Sequence, residues 1–466
     1  MASTLQLYHR LPYPAKVLIA SVHGCKLHWW RYGSKTDQLV EDAYRRESWR
    51  LEAWIAWQQG QLEFLLDRAA TRVPYYRDQW QLRRRSGDKA SWKYLENWPV
   101  LVKEQVRGNN VAFLADDCNP RWMYCDHTSG SSGTPLKIWQ SRETVQKWYA
   151  LFEARWRGWY GLSRNDCWAI LGGQLVTPVS QQKPPFWVWN AGLNQLYLSS
   201  YHLGSQNTAA YVQAIHRHKV TYLWGYASAL NSLAQQVIEQ HLEVRGVRRV
   251  VSNAEPLSEI QRDRIAQAFA CPVMNTYGLS EAVCAASECD EGKMHWWPEA
   301  GLVEVLADDQ DAAAPDGGTG RLVATGLLNP DMPLIRYQTG DRVATKETDE
   351  SCGCGRRLPV LTLIEGRSDD MIVTRDGRKI GRLDPVFKAD FHIREAQIIQ
   401  EQVDHFRLRY VPAPGLGQGE LDELVGRLRD RVGDVKVILE PTDAIPRTTS
   451  GKFRAVISHV KTKEQL

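Results

Sequence analysis

Apolar residues recur at every third or fourth position through much of the first hundred residues, and this spacing predicts amphipathic helices. Residues 28–32 and 54–66 show it most clearly, and Val73-Pro74-Tyr75-Tyr76 interrupts it. We expect residues 1–100 to form a helical extension that packs on the main body of the protein. For the basic, aromatic first fifty residues, an alternative is a helical segment that rests on a membrane surface.

The pattern changes near residue 100, where short apolar runs begin to alternate with amphipathic segments. The runs at 167–173, 220–226 and 248–252 predict buried strands, and residues 209–218 and 228–240 between them predict helices. Repetition of strand, turn and helix predicts an α/β domain with parallel strands. Ligands of such a domain bind at the carboxyl ends of the strands.

The last hundred residues predict a smaller unit. Apolar runs at 371–373 and 435–439 predict strands, and residues 420–432 predict a helix between them. The acidic, Gly- and Ala-rich residues 308–320 predict a surface loop or hairpin in the preceding domain. We therefore divide the chain into a helical extension (1–100), a core domain (101–368) and a small α+β C-terminal domain (369–466).

Composition and charge exclude several classes of protein. A chain of 466 residues with 43% hydrophobic and 24% charged residues is typical of a globular protein with more than one core. A net charge of +4 does not indicate a nucleic-acid partner. Nine cysteines, an odd number, do not suggest a disulfide framework, and no apolar run has the length of a signal peptide or transmembrane helix. We expect a cytoplasmic protein.

Residues 127–135 read HTSGSSGTP, a stretch that cannot bury an apolar face. Its glycines allow close approach of the backbone, and its hydroxyl and N–H groups can surround one oxyanion. It lacks the Gly-Lys-Ser/Thr of a Walker A loop. By itself, the stretch is compatible with a phosphate-binding loop and with an exposed linker.

Five further motifs follow this loop in order. They are NAEP at 253–256, TYGLSE at 276–281, YQTGD at 337–341, GRSDD at 366–370 and PRTTSGK at 446–452. Together, the motifs resemble those of the adenylate-forming superfamily of acyl- and aryl-CoA ligases, over residues of about 100 to 460. NAEPLSE at 253–259 is similar to the phenylacetate–CoA ligase group, and the long helical N-terminus is similar to the branch called capsular polysaccharide biosynthesis proteins.

The resemblance implies a large multi-sheet α/β adenylating domain and a small mobile α+β C-terminal domain. It implies that ATP and a carboxylic acid form an acyl-adenylate and pyrophosphate, and that a thiol of CoA or of carrier-bound pantetheine then displaces AMP. The ATP-binding residues that it implies are Thr128, Ser129, Gly130, Ser131, Ser132, Gly133, Thr134, Ala254, Glu255, Pro256, Thr276, Tyr277, Gly278, Ser280 and Asp341.

Individual roles also follow from the resemblance. Tyr277 stacks on adenine, Asp341 accepts hydrogen bonds from the ribose hydroxyls, and Thr276 or Ser280 contacts phosphate. Glu281 holds Mg²⁺, a cation that prefers carboxylate oxygen. Arg367 holds the ribose or a phosphate. Lys452 bridges the attacking carboxylate and the α-phosphate, where it neutralises developing charge.

Other positions complete the implied site. Thr134 stands where many relatives have lysine, and Lys137 is a candidate substitute for that cation. Asp369 is the hinge about which the C-terminal domain rotates, and residues 376–379 approach the site for thioester formation. His127 is a candidate substrate-side group. The acid pocket draws on Gly172, Gly173, Trp224, Gly225, Tyr226 and Ser228.

Four side chains form a candidate metal site. Cys289 and His295 lie six residues apart, and Cys352 and Cys354 form a Cys-x-Cys pair. Three thiols and one imidazole match a closed structural Zn²⁺ site, and the phenylacetate–CoA ligase group has comparable positions in some members. The alternative is that these residues are free thiols on surface loops.

The leading interpretation is an AMP-forming acid–thiol ligase that acts on an aromatic or other small acid. A second interpretation is adenylyl or acyl transfer to an acceptor that is not a thiol, in polysaccharide or cofactor biosynthesis. A third is a non-catalytic nucleotide-binding scaffold. Retention of Glu281, Asp341, Arg367 and Lys452 argues against the third.

Overall fold

The computed structural model describes residues 4–127, 136–308, 310–315, 317–346, 352–367, 372–375, 379–380, 383, 386, 391–448 and 452–460. Its helices are Thr4–Arg10 (α1), Tyr13–Arg31 (α2), Thr36–Arg46 (α3), Leu51–Arg72 (α4), Pro74–Arg85 (α5), Lys103–Gly108 (α6), Arg142–Leu151 (α7), Thr208–Arg217 (α8), Ala227–Glu239 (α9), Glu259–Phe269 (α10) and Gln418–Val432 (α11).

The strands fall into one large sheet, a C-terminal sheet and two hairpins. They are Tyr124–His127 (β1), Lys137–Gln140 (β2), Trp168–Gly172 (β3), Trp187–Asn190 (β4), Gln195–Ser199 (β5), Tyr222–Tyr226 (β6), Arg249–Asn253 (β7), Val273–Gly278 (β8), Ala285–Glu288 (β9), Met294–Trp296 (β10), Gly301–Leu306 (β11), Thr319–Gly326 (β12), Tyr337–Lys346 (β13), Val360–Arg367 (β14), Ile372–Val373 (β15), Lys379–Ile380 (β16), Ile393–Gln402 (β17), His405–Pro412 (β18), Lys436–Pro441 (β19) and Val456–Ser458 (β20).

The N-terminal extension is helical, as its apolar spacing predicts. The interruption is a single extended residue, Val73, between α4 and α5. Pro74 begins α5, and the first turn of a helix tolerates proline because its N–H would have no partner within the helix. Leu65 and Trp98 share one hydrophobic core with Tyr337 of the large sheet. The extension therefore packs on the core domain through a common interior, and the boundaries at 100 and 368 stay predictions.

The large sheet has twelve strands in the order β11-β12-β13-β14-β10-β9-β8-β7-β6-β3-β5-β4. Strands β5, β3, β6, β7 and β8 are parallel neighbours, and α8, α9 and α10 cover one face of them. The parallel α/β arrangement predicted from the alternating pattern is thus confirmed. Strands β9 to β14 continue the sheet with antiparallel neighbours. The predicted loop at 308–320 falls between β11 and β12, except for its last two residues, which begin β12.

The hairpin of β1 and β2 brackets the Ser/Gly stretch, since His127 pairs with Lys137 across it. Residues 128–135 themselves lie outside the described part of the chain.

The C-terminal domain has a four-stranded sheet in the order β19-β18-β17-β20. Leu424 and Leu428 of α11 pack on this sheet in a core of their own. The predicted helix and the strands near 372 and 436 are all present. Among the described helices, none is both long and apolar enough to cross a bilayer.

Candidate active site

The carboxyl ends of the parallel strands surround a cavity of about 100 Å³. Its lining includes Gly172, Gly173, Gly225 and Tyr226, four of the residues predicted for the acid pocket. A side chain at Gly225 would place its Cβ 2.5 Å from the Leu171 carbonyl oxygen, so only glycine fits between these strands. The other lining residues are Ile170, Gln174, Tyr197, Leu198 and Asn253.

Two predicted pocket residues lie behind this lining. Trp224 is buried and stacks on Phe152, with ring centroids 5.1 Å apart. Ser228 is also buried, and its backbone N–H donates to Glu255 at 2.9 Å. Both therefore shape the pocket wall rather than line the cavity.

Glu255 joins the core domain to the C-terminal domain. One carboxylate oxygen accepts from the Ser228 N–H, and the other accepts from the Phe453 N–H at 2.7 Å. Burial raises the pKa of Glu255, and these N–H donors oppose that rise. The contact places the neighbouring Lys452 ammonium 6.0 Å from the centroid of the Tyr226 ring. Lys452 thus faces the predicted acid pocket from the other domain.

Tyr277 of β8 and Asp341 of β13 meet at the site, although β9, β10 and β14 lie between their strands in the sheet. The Tyr277 hydroxyl donates to the Asp341 carboxylate at 2.6 Å. Burial and the nearby Asp341 raise the pKa of Tyr277, so the phenol stays protonated and remains a donor. Asp341 and Arg367 are also opposite one another in the backbone register of β13 and β14. The residues implied for adenine and ribose are therefore neighbours, and their nucleotide roles stay predictions.

Glu281 is buried, and it has two partners that the sequence did not indicate. Its Oε1 accepts from the Lys103 ammonium at 3.1 Å and from the Tyr337 hydroxyl at 2.9 Å. Lys103 is the first residue of α6 and lies two residues after Leu101, whose backbone pairs with Arg336 and Gln338 beside β13. This long-range pairing places a lysine at the predicted Mg²⁺ ligand.

The remaining predicted residues divide into described and undescribed groups. The Thr276 hydroxyl donates to the Ser252 carbonyl at 2.8 Å, whereas Ser280 is exposed, which favours Ser280 as a phosphate contact. Ala254 has a φ of +61°, a left-handed conformation that L side chains rarely adopt and that turns the chain after β7. Thr128 to Thr134, Asp369 and residues 376–378 lie outside the described ranges.

The four predicted metal ligands meet beside β9, β10 and β14. Their ligand atoms all lie within 4.8 Å of one another, with Cys289 Sγ 3.9 Å from Cys352 Sγ and Cys354 Sγ 3.7 Å from His295 Nε2. A tetrahedral site with Zn–S bonds of about 2.3 Å places two sulfurs about 3.8 Å apart. The cluster therefore has the spacing of a closed Zn²⁺ site.

Surrounding groups favour the metal-binding forms of His295 and Cys354, whereas burial opposes ionisation of the Cys289 thiol. The Leu358 carbonyl lies 3.0 Å from His295 Nδ1 and orients Nε2 toward the sulfurs. Burial lowers the pKa of His295, which keeps the imidazole neutral. Burial raises the pKa of Cys289 to about 12, whereas at Cys354 hydrogen bonds from Arg356 outweigh burial and lower the thiol pKa. Neutral imidazole and ionised thiol are the forms that bind Zn²⁺.

Two family models match this chain. The AMP-binding enzyme model matches residues 121–328, and the CapK C-terminal domain model matches residues 372–459. The chain is similar to Protein CapK of Staphylococcus aureus, with 24% identity over 81% of this chain and 83% of CapK. It is 30% identical to a phenylacetate-coenzyme A ligase of Thermus thermophilus over 44% of this chain and 53% of that ligase.

Solved structures of one ligase resemble the fold to different degrees. Against 2-hydroxyisobutyryl-CoA ligase in the postadenylation state, the TM-score is 0.68 at 21% identity, covering 90% of this chain and 92% of that one. Against the same ligase in the thioesterification state, the TM-score is 0.54 at 22% identity, covering 89% and 91%. Both comparisons show that the chain shares the fold of this ligase over about nine-tenths of its length.

Proposed function

We propose that this chain, which belongs to the AMP-binding enzymes on the branch of CapK and the phenylacetate–CoA ligases, activates a carboxylic acid with ATP and passes the acyl group to a thiol such as CoA. The observation that carries this proposal is the position of Lys452, which the Glu255–Phe453 contact holds over Tyr226 at the mouth of the acid pocket. A cation at that place is what adenylate formation requires.

In the first half-reaction, a carboxylate oxygen attacks the α-phosphorus of ATP and pyrophosphate leaves. Lys452 neutralises the charge that develops between the two anions, and Asp341 orients the ribose. In the second half-reaction, a thiolate attacks the acyl carbon and AMP leaves. Glu281 would hold Mg²⁺, which would supply charge neutralisation at the phosphates; the two hydrogen bonds of Glu281 described above both involve Oε1, and carboxylate oxygen suits this cation.

The size and lining of the pocket support a small acid over an aromatic one. The cavity of about 100 Å³ is smaller than the roughly 150 Å³ that holds benzene in an engineered protein core. Its side chains include the polar groups of Gln174, Tyr226 and Asn253.

Pyrophosphate release with a panel of acids, with and without CoA, tests the proposed function. Release that depends on an acid and accelerates with CoA is the expected result. Acid-dependent release that CoA does not accelerate would favour a non-thiol acceptor. ATP binding without release for any acid would favour a non-catalytic scaffold.

We propose that Cys289, His295, Cys352 and Cys354 hold a structural Zn²⁺. Purified protein is expected to contain one zinc per chain, and Cys352→Ser is expected to lose it. Unfolding free energy should then fall by about 4 kcal/mol, the linkage expected at about a thousand times Kd. Metal analysis and thermal unfolding check both results, with buried Cys271→Ser as the control. Equal zinc contents in the two variants would contradict the proposal.

We also propose that α2 rests on an anionic membrane surface. Leu18, Val22 and Trp29 lie on this helix with exposed fractions of 64%, 63% and 54%. The first 35 residues contain five Lys or Arg and no Asp or Glu, and Arg10, Lys26 and Lys35 among them are exposed. An exposed apolar stripe within a cationic segment is the arrangement that binds anionic interfaces.

Co-sedimentation with phosphatidylglycerol vesicles measures this binding. The double variant Leu18→Ser/Val22→Ser should weaken vesicle binding at least about tenfold, because two aliphatic side chains that would insert into the membrane are lost. The matched control is Ile55→Ser/Phe64→Ser on α4, whose exposed fractions are 54% and 61%. Equal binding of the two double variants, or no binding of the unaltered protein, would contradict the membrane proposal.

A further inference from the structure

The turn that follows β5 lies beside the glycine turn of the acid pocket. Strands β3 and β5 are parallel, so both end at the same edge of the sheet, and Gly172 is opposite Ser199 in their register. Gly172 ends β3, Gly173 follows it, and both line the cavity of about 100 Å³. Residues 199–202 therefore lie where they can hold this glycine turn in place.

Two half-buried hydroxyl groups of this segment donate to the glycine turn. The Ser200 hydroxyl donates to the Gly172 carbonyl at 2.9 Å, and the Tyr201 hydroxyl donates to the Gly173 carbonyl at 3.0 Å. The Gly173 backbone also hydrogen-bonds the Tyr226 hydroxyl of the pocket lining. Glycine has no side chain that packing could hold, and it loses more conformational freedom on folding than any other residue. The position of the turn therefore depends on these hydrogen bonds.

The segment that carries these two donors is itself fixed by a buried imidazole. The Ser199 hydroxyl oxygen lies 2.8 Å from His202 Nδ1, and His202 Nε2 lies 3.1 Å from the Pro178 carbonyl oxygen. Burial lowers the pKa of His202, so its neutral ring can accept from Ser199 and donate to Pro178. The two hydroxyl donors therefore lie on a segment that is anchored on both sides of them.

We infer that Ser200 and Tyr201 are positioning residues for acid binding, because they hold the Gly172-Gly173 turn where it forms the pocket wall. This inference rests on the proposed function and adds two residues that belong to no motif in the sequence. In the described part of the chain, the cavity lining includes neither side chain, so each acts through the glycine backbone. Without these hydrogen bonds, acid binding must order the turn, and that cost weakens the affinity for the acid.

The double variant Ser200→Ala/Tyr201→Phe removes both hydroxyl groups and keeps the aromatic ring. ATP–pyrophosphate exchange is measured with acetate, propionate and lactate, and the acid with the highest kcat/KM is used. Its KM should rise about tenfold, in the lower range for two lost hydrogen bonds because both donors are half-buried. The kcat and the KM for ATP should stay within about twofold, since a loss of binding alone raises only the KM for the acid.

The matched control is Tyr44→Phe/Thr208→Val, which removes one phenol and one aliphatic hydroxyl elsewhere. The Tyr44 hydroxyl donates to the Ala154 carbonyl at 3.2 Å, and the Thr208 hydroxyl donates to the Gly204 carbonyl at 3.0 Å. This control should leave the KM for the acid within about twofold of the normal value. An equal rise of that KM in both double variants would overturn the inference, as would an unchanged KM in Ser200→Ala/Tyr201→Phe.

Amide hydrogen exchange separates this inference from the proposed function, because it requires no turnover. The backbone amides of residues 172–176 should exchange hydrogen at least about tenfold faster in Ser200→Ala/Tyr201→Phe than in the control, since local opening becomes easier. Absence of ATP–pyrophosphate exchange with every acid would count against the ligase proposal. Amide exchange then decides whether the two side chains position the turn: faster exchange supports that role, and equal exchange in the two double variants overturns it.

Discussion

Replacement of Lys452 by alanine is expected to slow acyl-adenylate formation by about 100- to 1,000-fold, the effect of removing one preorganised charge donor. Thiolysis should be nearly unaffected, so that CoA should react with a synthetic acyl-adenylate at close to the normal rate. We expect this because the Glu255–Phe453 contact places Lys452 at the acid pocket, and because we propose that the C-terminal domain leaves this arrangement before thiolysis.

Two assays separate the half-reactions. ATP–pyrophosphate exchange reports adenylation, and single-turnover thioester formation from acyl-adenylate and CoA reports thiolysis. Lys436→Ala, an exposed lysine on β19 of the same domain, is the control and should leave both rates unchanged. Equal loss of both steps in Lys452→Ala would contradict alternation of the C-terminal domain between two arrangements.

Lys103→Met is expected to lower the free energy of unfolding by about 3 kcal/mol, because it leaves the buried Glu281 carboxylate without its cation. The double variant Lys103→Met/Glu281→Gln should recover most of that loss, since no charge is then left buried and unpaired. Adenylation should be impaired in both variants, because the first disturbs and the second removes the proposed Mg²⁺ ligand.

Denaturant unfolding of the four proteins in this double-mutant cycle measures the coupling. Arg107→Met is the matched control, since Arg107 lies on the same helix and pairs with the exposed Glu104. Arg107→Met should change the free energy of unfolding by no more than about 0.5 kcal/mol, as for surface ion pairs generally. Additive effects of Lys103→Met and Glu281→Gln would show that the contact contributes nothing, and would exclude Lys103 as the residue that positions Glu281.

The local elements of the fold were predictable from the sequence. The apolar runs before Gly172, Tyr226 and Asn253 correspond to β3, β6 and β7, since a buried parallel strand requires a continuous apolar segment. The parallel arrangement also placed the pocket glycines together, because parallel strands end at one edge of the sheet. Likewise, Cys289 and His295 join Cys352 and Cys354 as expected.

Other features depend on contacts between distant segments. Nothing in the sequence around Lys103 indicates Glu281 as its partner, since their contact arises from the pairing of Leu101 beside β13. The first hundred residues carry no motif of the resemblance, yet Leu65 and Trp98 share one hydrophobic core with Tyr337 of the large sheet. Periodicity reports which face of an element is buried and not what lies opposite it.

The Ser/Gly stretch at 128–135 shows the division between the two levels. Its composition and its place before five ordered motifs determine that it is a candidate phosphate loop, because glycines and hydroxyls suit an oxyanion. Only the tertiary structure shows that β1 and β2 bracket it, with His127 paired to Lys137. Local sequence determined the elements and the candidate chemistry. Packing between segments that are remote in the chain decided which charges meet at the site, because such contacts form only when the whole chain is folded.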